Sequence, residues 1–320
     1  MTIYIPSQEL VQAGLEAVYG DLAAPTVQLM GITDCKIIPH PEGSQIIDKR
    51  GTTMPAYIST IDRLWAEANL SGVVCYTQFN YWLDCLFGID ASNPYGYLAE
   101  LDPTTTIQSL NLLHGQPDVT YSMGGGIVDR LTIRGSNNGP LTFTAHLLGM
   151  GSVPDVIEGA LTDSAVVVAM GNHCAFWIDP IAGPIGTTPV LTTAFAFEAD
   201  IIVDRKLVWH MGALNPDSFR HGKWLGSKLK LNLQMTSDMQ DILDEIMAEE
   251  VSPHGYVVRI RATDALTTSI FTLDFAGEAL TSPPLYTYTD GVVTLELELA
   301  AKFTDDATFL SCWGADLVLP

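Results

Sequence analysis

The sequence predicts a mainly β fold on three observations. Apolar and polar residues alternate over several runs, Gly, Asn and Asp cluster between those runs, and only two short segments carry helical spacing. Alternation puts one face of a strand on a core and leaves the other to water, which is the signature of a half-buried antiparallel strand. Leu141, Phe143 and Ala145 interleave with Thr142, Thr144 and His146; Leu229, Leu231 and Leu233 with Lys230, Asn232 and Gln234; Leu295, Leu297 and Leu299 with Glu296 and Glu298.

Along the chain, the stretch from Ile37 to Arg50 holds Pro39, Pro41 and Gly43 and reads as a long exposed hairpin or loop, a feature that is usually functional in a compact domain. A strand follows from Leu64 to Leu70. Thr77 is placed to N-cap a helix in which Phe79, Trp82, Leu83 and Leu86 share a face, and Gly88 suits its left-handed end. Gly124, Gly125 and Gly126 precede a strand rather than a helix, so they read as a turn and not as a phosphate loop. Arg134 to Pro140 supplies hairpin turn residues, and Gly149 to Gly159 is rich in Gly and Pro and reads as a junction. Strands are expected again at Ala194 to Ile202 and Trp224 to Gln234. A second helix follows at Ser237, a capping-box start, with Met239, Ile242, Leu243 and Ile246 on one stripe; Asp290-Gly291 then turns the chain into the run from Val292.

The two helices lie half a chain length apart, each preceded by an alternating strand and followed by several more. That order predicts an internal duplication, units 1–155 and 156–320, each with one short flanking helix. A single large sandwich with two incidental helices is the alternative.

Composition narrows function. Of 320 residues, 47% are hydrophobic and 16% charged, which excludes disorder, and a net charge of −22 disfavours gripping nucleic acid through many phosphates. No apolar run is long enough to cross a bilayer as a helix, so no membrane partner is expected, and the first residues carry no basic and apolar leader pattern, so assembly in a cytoplasm is expected. Cys35, Cys75, Cys85, Cys174 and Cys312 have no paired spacing and read as small buried hydrophobes. There is no GxSxG, HExxH or Walker motif, and the histidines lack metal-ligand spacing, although His210, His221 and Asp217 share a loop region. No enzyme activity and no cofactor are expected. Basic residues gather at Arg205, Lys206, Arg220, Lys223, Lys228 and Lys230, either as a solvated strand face and loop or as a patch that meets an acidic patch on a neighbouring copy.

Three stretches carry a resemblance. Trp177-Ile178-Asp179 with Gly183 to Val190, then Asp290 to Leu297 with Lys302 to Asp306, resemble the second half of tail tube proteins of long-tailed bacteriophages, and Tyr81 to Gly88 with the strands from Gly126 to Gly149 look like the first unit of the same family. The resemblance implies tandem tail-tube-type β-sandwich units whose inner sheets join around a ring. Two-unit chains then form trimeric, pseudo-hexameric rings that stack into a virion tail tube around a tape-measure protein, with terminator and tail-tip partners, and double-stranded DNA passes through without specific binding. It places Glu296 and Glu298 as lumen candidates that would repel phosphates, and Asp48, Lys49 and Arg50, in the segment 37–54, as ring-stacking candidates. Another virion structural protein (capsid, baseplate or decoration) is the next reading, and a carbohydrate-binding β-sandwich using Trp65, Trp82, Trp177, Trp209, Trp224 and Trp313 comes after it.

Overall fold

The computed structural model describes residues 9–48, 56–88, 95–96, 107–116, 119–159, 161, 166–181, 186–187, 194–220, 226–237, 239–241, 244, 255–264, 269–279, 285–289, 291–301 and 310–315. The chain is mainly β, as the alternation predicts. Its first half contains β1 (Leu10–Glu16), β2 (Val27–Gln28), β3 (Ile32–Asp48), β4 (Ala56–Val73), α1 (Asn80–Phe87), β5 (Tyr95–Gly96), β6 (Ser109–Gln116), β7 (Val119–Ser136), β8 (Thr142–Met150) and β9 (Val153–Asp155). The second contains β10 (Cys174–Pro180), β11 (Ala194–Ile202), β12 (Lys206–Val208), β13 (Ser218–Arg220), β14 (Lys228–Gln234), β15 (Gly255–Thr263), β16 (Ile270–Ala279), β17 (Leu285–Thr289), β18 (Val292–Ala301) and β19 (Leu310–Ala315).

The described pairings are antiparallel, and five of them follow the same order in each half. β1 pairs β6, β3 pairs β4, β4 pairs β8, β6 pairs the start of β7, and the end of β7 pairs β8. In the same sequence β10 pairs β15, β11 pairs β14, β14 pairs β18, β15 pairs β16, and β17 pairs β18. The irregularities coincide too. β3 skips a residue between Ile32 and Asp34 opposite Gly72 and Ser71, and β11 skips one between Ala194 and Ala196 opposite Leu233 and Asn232. A bulge bends and twists a pair locally, so two at the same step give two hairpins of one shape.

Both halves also start alike. The buried Glu16 at the end of β1 accepts from the Gly20 N–H at 2.9 Å, the Gly125 N–H at 2.9 Å and the Ser109 hydroxyl at 2.6 Å. The buried Asp179 near the end of β10 accepts from the Gly186 N–H at 2.7 Å, the Thr187 N–H at 3.2 Å and the Thr187 hydroxyl at 2.7 Å. A buried carboxylate surrounded by donors satisfies several backbone groups at once.

Four local expectations change. Gly124 to Gly126 form no turn; they lie inside β7, where Gly125 at φ +61 kinks the strand as it leaves β6 for β8, a conformation that a side chain would strain. The first helix starts at Asn80, not after a Thr77 cap, because Cys75 O already takes the N–H groups of Gln78 and Phe79; Gly88 does end it, at φ +88. That helix is not amphipathic against solvent either, since all of its residues are buried. The second helical turn is capped by Thr236, whose hydroxyl accepts from Met239 N–H at 3.4 Å, rather than by Ser237; Ile242, Leu243 and Ile246 lie outside the described residues.

One apolar core runs through both halves. Helix α1 is its central plug. Phe79 packs edge-on against Phe143 of β8 at 5.5 Å and against Phe271 of β16 at 5.6 Å, so one ring joins the two halves. The predicted segment around 37–54 is a hairpin, with β3 paired to β4 as far as Asp48 opposite Ala56, and β4 pairs β8 only from Trp65 onward. The outer part of the hairpin therefore projects beyond the sheet as a two-stranded ribbon. Pro39 and Pro41 fit β3 because, among the described residues, β3 pairs on one side only, and a missing N–H on its other side costs no ladder bond.

Candidate polar sheet face and strand-edge interface

The last strand of the first half, β7, pairs with β11 of the second, from Arg130 opposite Ile202 to Ser136 opposite Ala196. This seam fuses the sheets of both halves into one surface in the order β3, β4, β8, β7, β11, β14, β18, β17. Because side chains alternate, one face of every strand enters the core and the other is open.

The open face carries interleaved charge. A single register row contains Arg134, Glu198, Lys230 and Glu298, one from each of four adjacent strands. Across the seam Arg134 Nε donates to Glu198 at 2.7 Å, and Arg130 clamps Asp200 with two bonds at 2.9 and 2.7 Å, while the Thr132 hydroxyl donates to the same carboxylate at 2.8 Å. Lys228 meets Glu298 at 2.8 Å. On the first half, His146 Nδ1 lies 2.5 Å from Asp129 and its Nε2 lies 3.7 Å from Glu67, which also faces His40 at 3.4 Å. The Asp129 hydrogen bond, opposed by partial burial, raises the His146 pKa above its ordinary value.

On the core side of the seam, Phe197 lies on Gly135; a Cβ there would come within 2.3 Å of the Phe197 ring and 2.5 Å of Leu141. A large residue is thus fitted to the one residue with no side chain.

The sequence-predicted residues divide. Glu296 and Glu298 both alternate away from the core on β18; Glu296 is exposed, whereas Glu298 is paired with Lys228. The basic cluster does not form one surface. Arg205 is buried, donates to the Leu86 carbonyl at the end of α1 and lies 5.8 Å from the Phe219 ring, so it is removed from any exposed patch. Lys206 and Arg220 face each other on the β12·β13 ribbon, Lys228 and Lys230 sit on the open sheet face, and Lys223 lies outside the described residues. Asp48 ends β3 at the projecting ribbon, while Lys49 and Arg50 lie outside the described residues. Sequence reasoning missed the β7·β11 ion pairs. Arg134 and Glu198 are far apart in the chain, and only strand pairing brings them together.

His210 and Asp217 do meet, at 2.6 Å, and that bond holds the Asp217 carboxyl below its usual range; both are exposed. No group of three or more His, Cys, Asp or Glu fit to hold a metal occurs among the described residues. Cys35, Cys75, Cys85 and Cys174 are free thiols, as expected, and no described helix is long and apolar enough to cross a membrane. The described tryptophans lie in different settings: Trp82 is buried in α1, Trp65 stacks on His40 at 4.3 Å, Trp209 lies under Arg63 at 5.0 Å and Trp177 sits on β10 opposite Arg259, while Trp224 lies outside the described residues.

The fold and this surface define a mainly β protein with a broad paired-charge sheet face. Residues 7–301 match the family model described as phage tail tube protein, and the chain belongs to that family. It is accordingly a structural component of a phage virion tail. No curated protein matches the chain.

Proposed function

We propose that the chain comprises two tube units, 1–155 and 156–320, and that three chains close into a ring of six units that stacks into the tail tube. The observation that carries this reading is the β7·β11 seam, which joins two sheets of the same pairing order edge to edge inside one chain. A head-to-tail contact of this kind closes into a ring when its rotation divides the circle. The open face is the candidate channel wall. Its paired charges offer passing DNA no continuous basic stripe to hold phosphates, and Glu296 adds an exposed carboxylate that repels them. The projecting β3·β4 ribbon, where β3 ends at Asp48 with Lys49 and Arg50 next in sequence, is the candidate contact between stacked rings. Lys206, Arg220, Lys228 and Lys230 remain candidates for contacts between copies, with Lys223 beside them in sequence. The remaining partners are the tape-measure, terminator and tail-tip proteins, met on assembly in the host cytoplasm, and no turnover is expected.

Negative-stain electron microscopy of the purified protein over a range of concentrations tests this. Hollow tubes or threefold rings are expected. Monomers at every concentration, even with tail-tip components added, would overturn it. Replacing Asp48, Lys49 and Arg50 together with Ala should weaken stacking without lowering subunit stability, and unaltered tube length distributions would remove the ribbon from the stacking contact.

A further inference from the structure

The fused sheet ends in two edges. Among the described residues, β3 pairs only with β4 and β17 pairs only with β18. An exposed edge is a row of unpaired backbone groups and a template for another strand. The two edges are also the counterparts of the strands that already meet inside the chain, because β3 occupies in the first half the place of β11, and β17 occupies in the second the place of the end of β7.

The coincident bulges make this correspondence residue by residue. With the bulges superposed, Asp34 and Cys35 stand where Ala196 and Phe197 stand, and Leu70 where Leu231 stands. Leu70 faces Ala145 on β8 and Leu231 faces Leu297 on β18, so Phe143 corresponds to Leu295 and their partners Ile133 and Tyr286 correspond. The internal seam then dictates a register for the two free edges.

We propose that β17 of one copy pairs antiparallel with β3 of the next: Asp34 opposite Thr289, Cys35 opposite Tyr288, Lys36 opposite Thr287, Ile37 opposite Tyr286 and Ile38 opposite Leu285. The inference rests on the ring reading above and specifies which edges meet and in which register. Three further observations fit a second copy of this chain as the occupant. Tyr286 and Tyr288 are 54% and 78% exposed and pair with Leu295 and Val293; Leu295 is buried, while Val293, nearer the open end, is 38% exposed, so the apolar layer runs out uncovered at this edge. Covering such a layer favours association. Size complementarity is reversed relative to the internal seam: there Phe197 of the incoming strand lies on Gly135, whereas here the incoming Cys35 is small and the resident Tyr288 is large. Pro39 and Pro41 end the pairing, since neither has an N–H to offer beyond Ile38.

Neither ion pair of the internal seam has a counterpart in this contact, since Ile38 stands in the place of Asp200. Arg134 and Glu198 are replaced by Thr287 and Lys36, so edge association should depend on apolar burial more than on ionic strength.

The test is a disulfide between copies. Directly opposed antiparallel residues have Cα atoms roughly 4.5–5.5 Å apart, inside the span a disulfide bridges. Under mild oxidation the full-length variant carrying both Lys36→Cys and Thr287→Cys should give a covalent ladder ending at the closed ring, while each single variant alone gives none and the two mixed give a dimer. The pair Ile38→Cys with Thr289→Cys, offset from the proposed register, should not cross-link. Rings or tubes that form without the first disulfide, or that cross-link equally in the offset pair, overturn the register and leave the ring reading standing. Wild-type protein that never assembles overturns both. As a second measurement, Tyr286→Ser with Tyr288→Ser should raise the concentration for half assembly about tenfold or more while subunit Tm holds; an unchanged assembly midpoint overturns the role of the tyrosine edge.

Discussion

The first half of the molecule closes its sheet with one long strand, while the second half breaks the same strand in two. β7 runs from Val119 to Ser136, kinks at Gly125 and serves both sheets, and its far edge is taken by β11. In the second half the corresponding positions are divided between β16, which touches β18 through Gly277 to Ala279, and β17, whose outer edge pairs with no strand among the described residues. The hairpins differ in the other direction: β3 and β4 extend as one projecting ribbon, whereas the second half has β11 and β14 with the separate β12·β13 ribbon between them. A shared pairing order thus supports one finished edge and one unfinished edge, and the residues at each differ as their surroundings require.

The strongest way to break the comparison is to uncouple the halves. Phe79→Ala removes the ring held between Phe143 and Phe271 and should cost about 3–5 kcal/mol; the measurement is calorimetry, with a large fall in Tm and separation of the unfolding transition into two as the expected outcome. A single transition at the wild-type temperature would show that Phe79 does not link them. Next in size are the two buried carboxylates. Glu16→Ala strands donors from β7 and the following loop and should cost about 2–3 kcal/mol. Hydrogen exchange should rise at Gly125, far along the chain. Asp179→Ala should raise exchange at Gly186 and Thr187, whose N–H groups it accepts close by in sequence.

Gly135→Ala tests the finished edge. Its Cβ would enter the space of Phe197, at a cost of about 1–3 kcal/mol by overpacking, and adding Phe197→Leu should recover part of that loss; chemical denaturation of both variants checks it. The smallest effect concerns pH. His146 occupies on β8 the place that Glu298 occupies on β18, but it is held by Asp129 where Glu298 is held by Lys228. Its raised pKa means that the folded state binds the proton more tightly than the unfolded one. The stabilisation is therefore complete below the ordinary histidine value of about 6.5 and is lost as pH rises through the folded value. Tm should fall over that rise in wild type, with His40, Glu67 and Asp129 the ionisable neighbours, and His146→Asn should flatten the slope.

Much of the fold was legible because alternation and turn chemistry are local. The strands at Leu141 to Ala145, Leu229 to Leu233 and Leu295 to Leu299 put their leucines, Phe143 and Ala145 in the core, and Gly88 and Gly291 adopt positive φ where turns were expected. Gly125 was misjudged for a physical reason: a glycine triplet marks a bend, but whether the bend reverses the chain or carries a strand from one sheet to another depends on partners distant in sequence. Thr77 was displaced as a cap because Cys75 closed the turn first. The burial of Arg205 was invisible, since a guanidinium that satisfies a helix end looks in sequence like any basic residue near other basic residues.

The sequence by itself determined the β class, the place of α1 and the alternating faces, all consequences of side-chain period and backbone preference within a few residues. Tertiary structure alone decided that β7 meets β11, that Arg130 and Arg134 are neutralised across that seam, and that β3 and β17 are the edges left over. Strand pairing joins residues through backbone hydrogen bonds that every residue type except proline can make. Which strands meet is therefore selected by the packing of the whole core, and no local pattern records it.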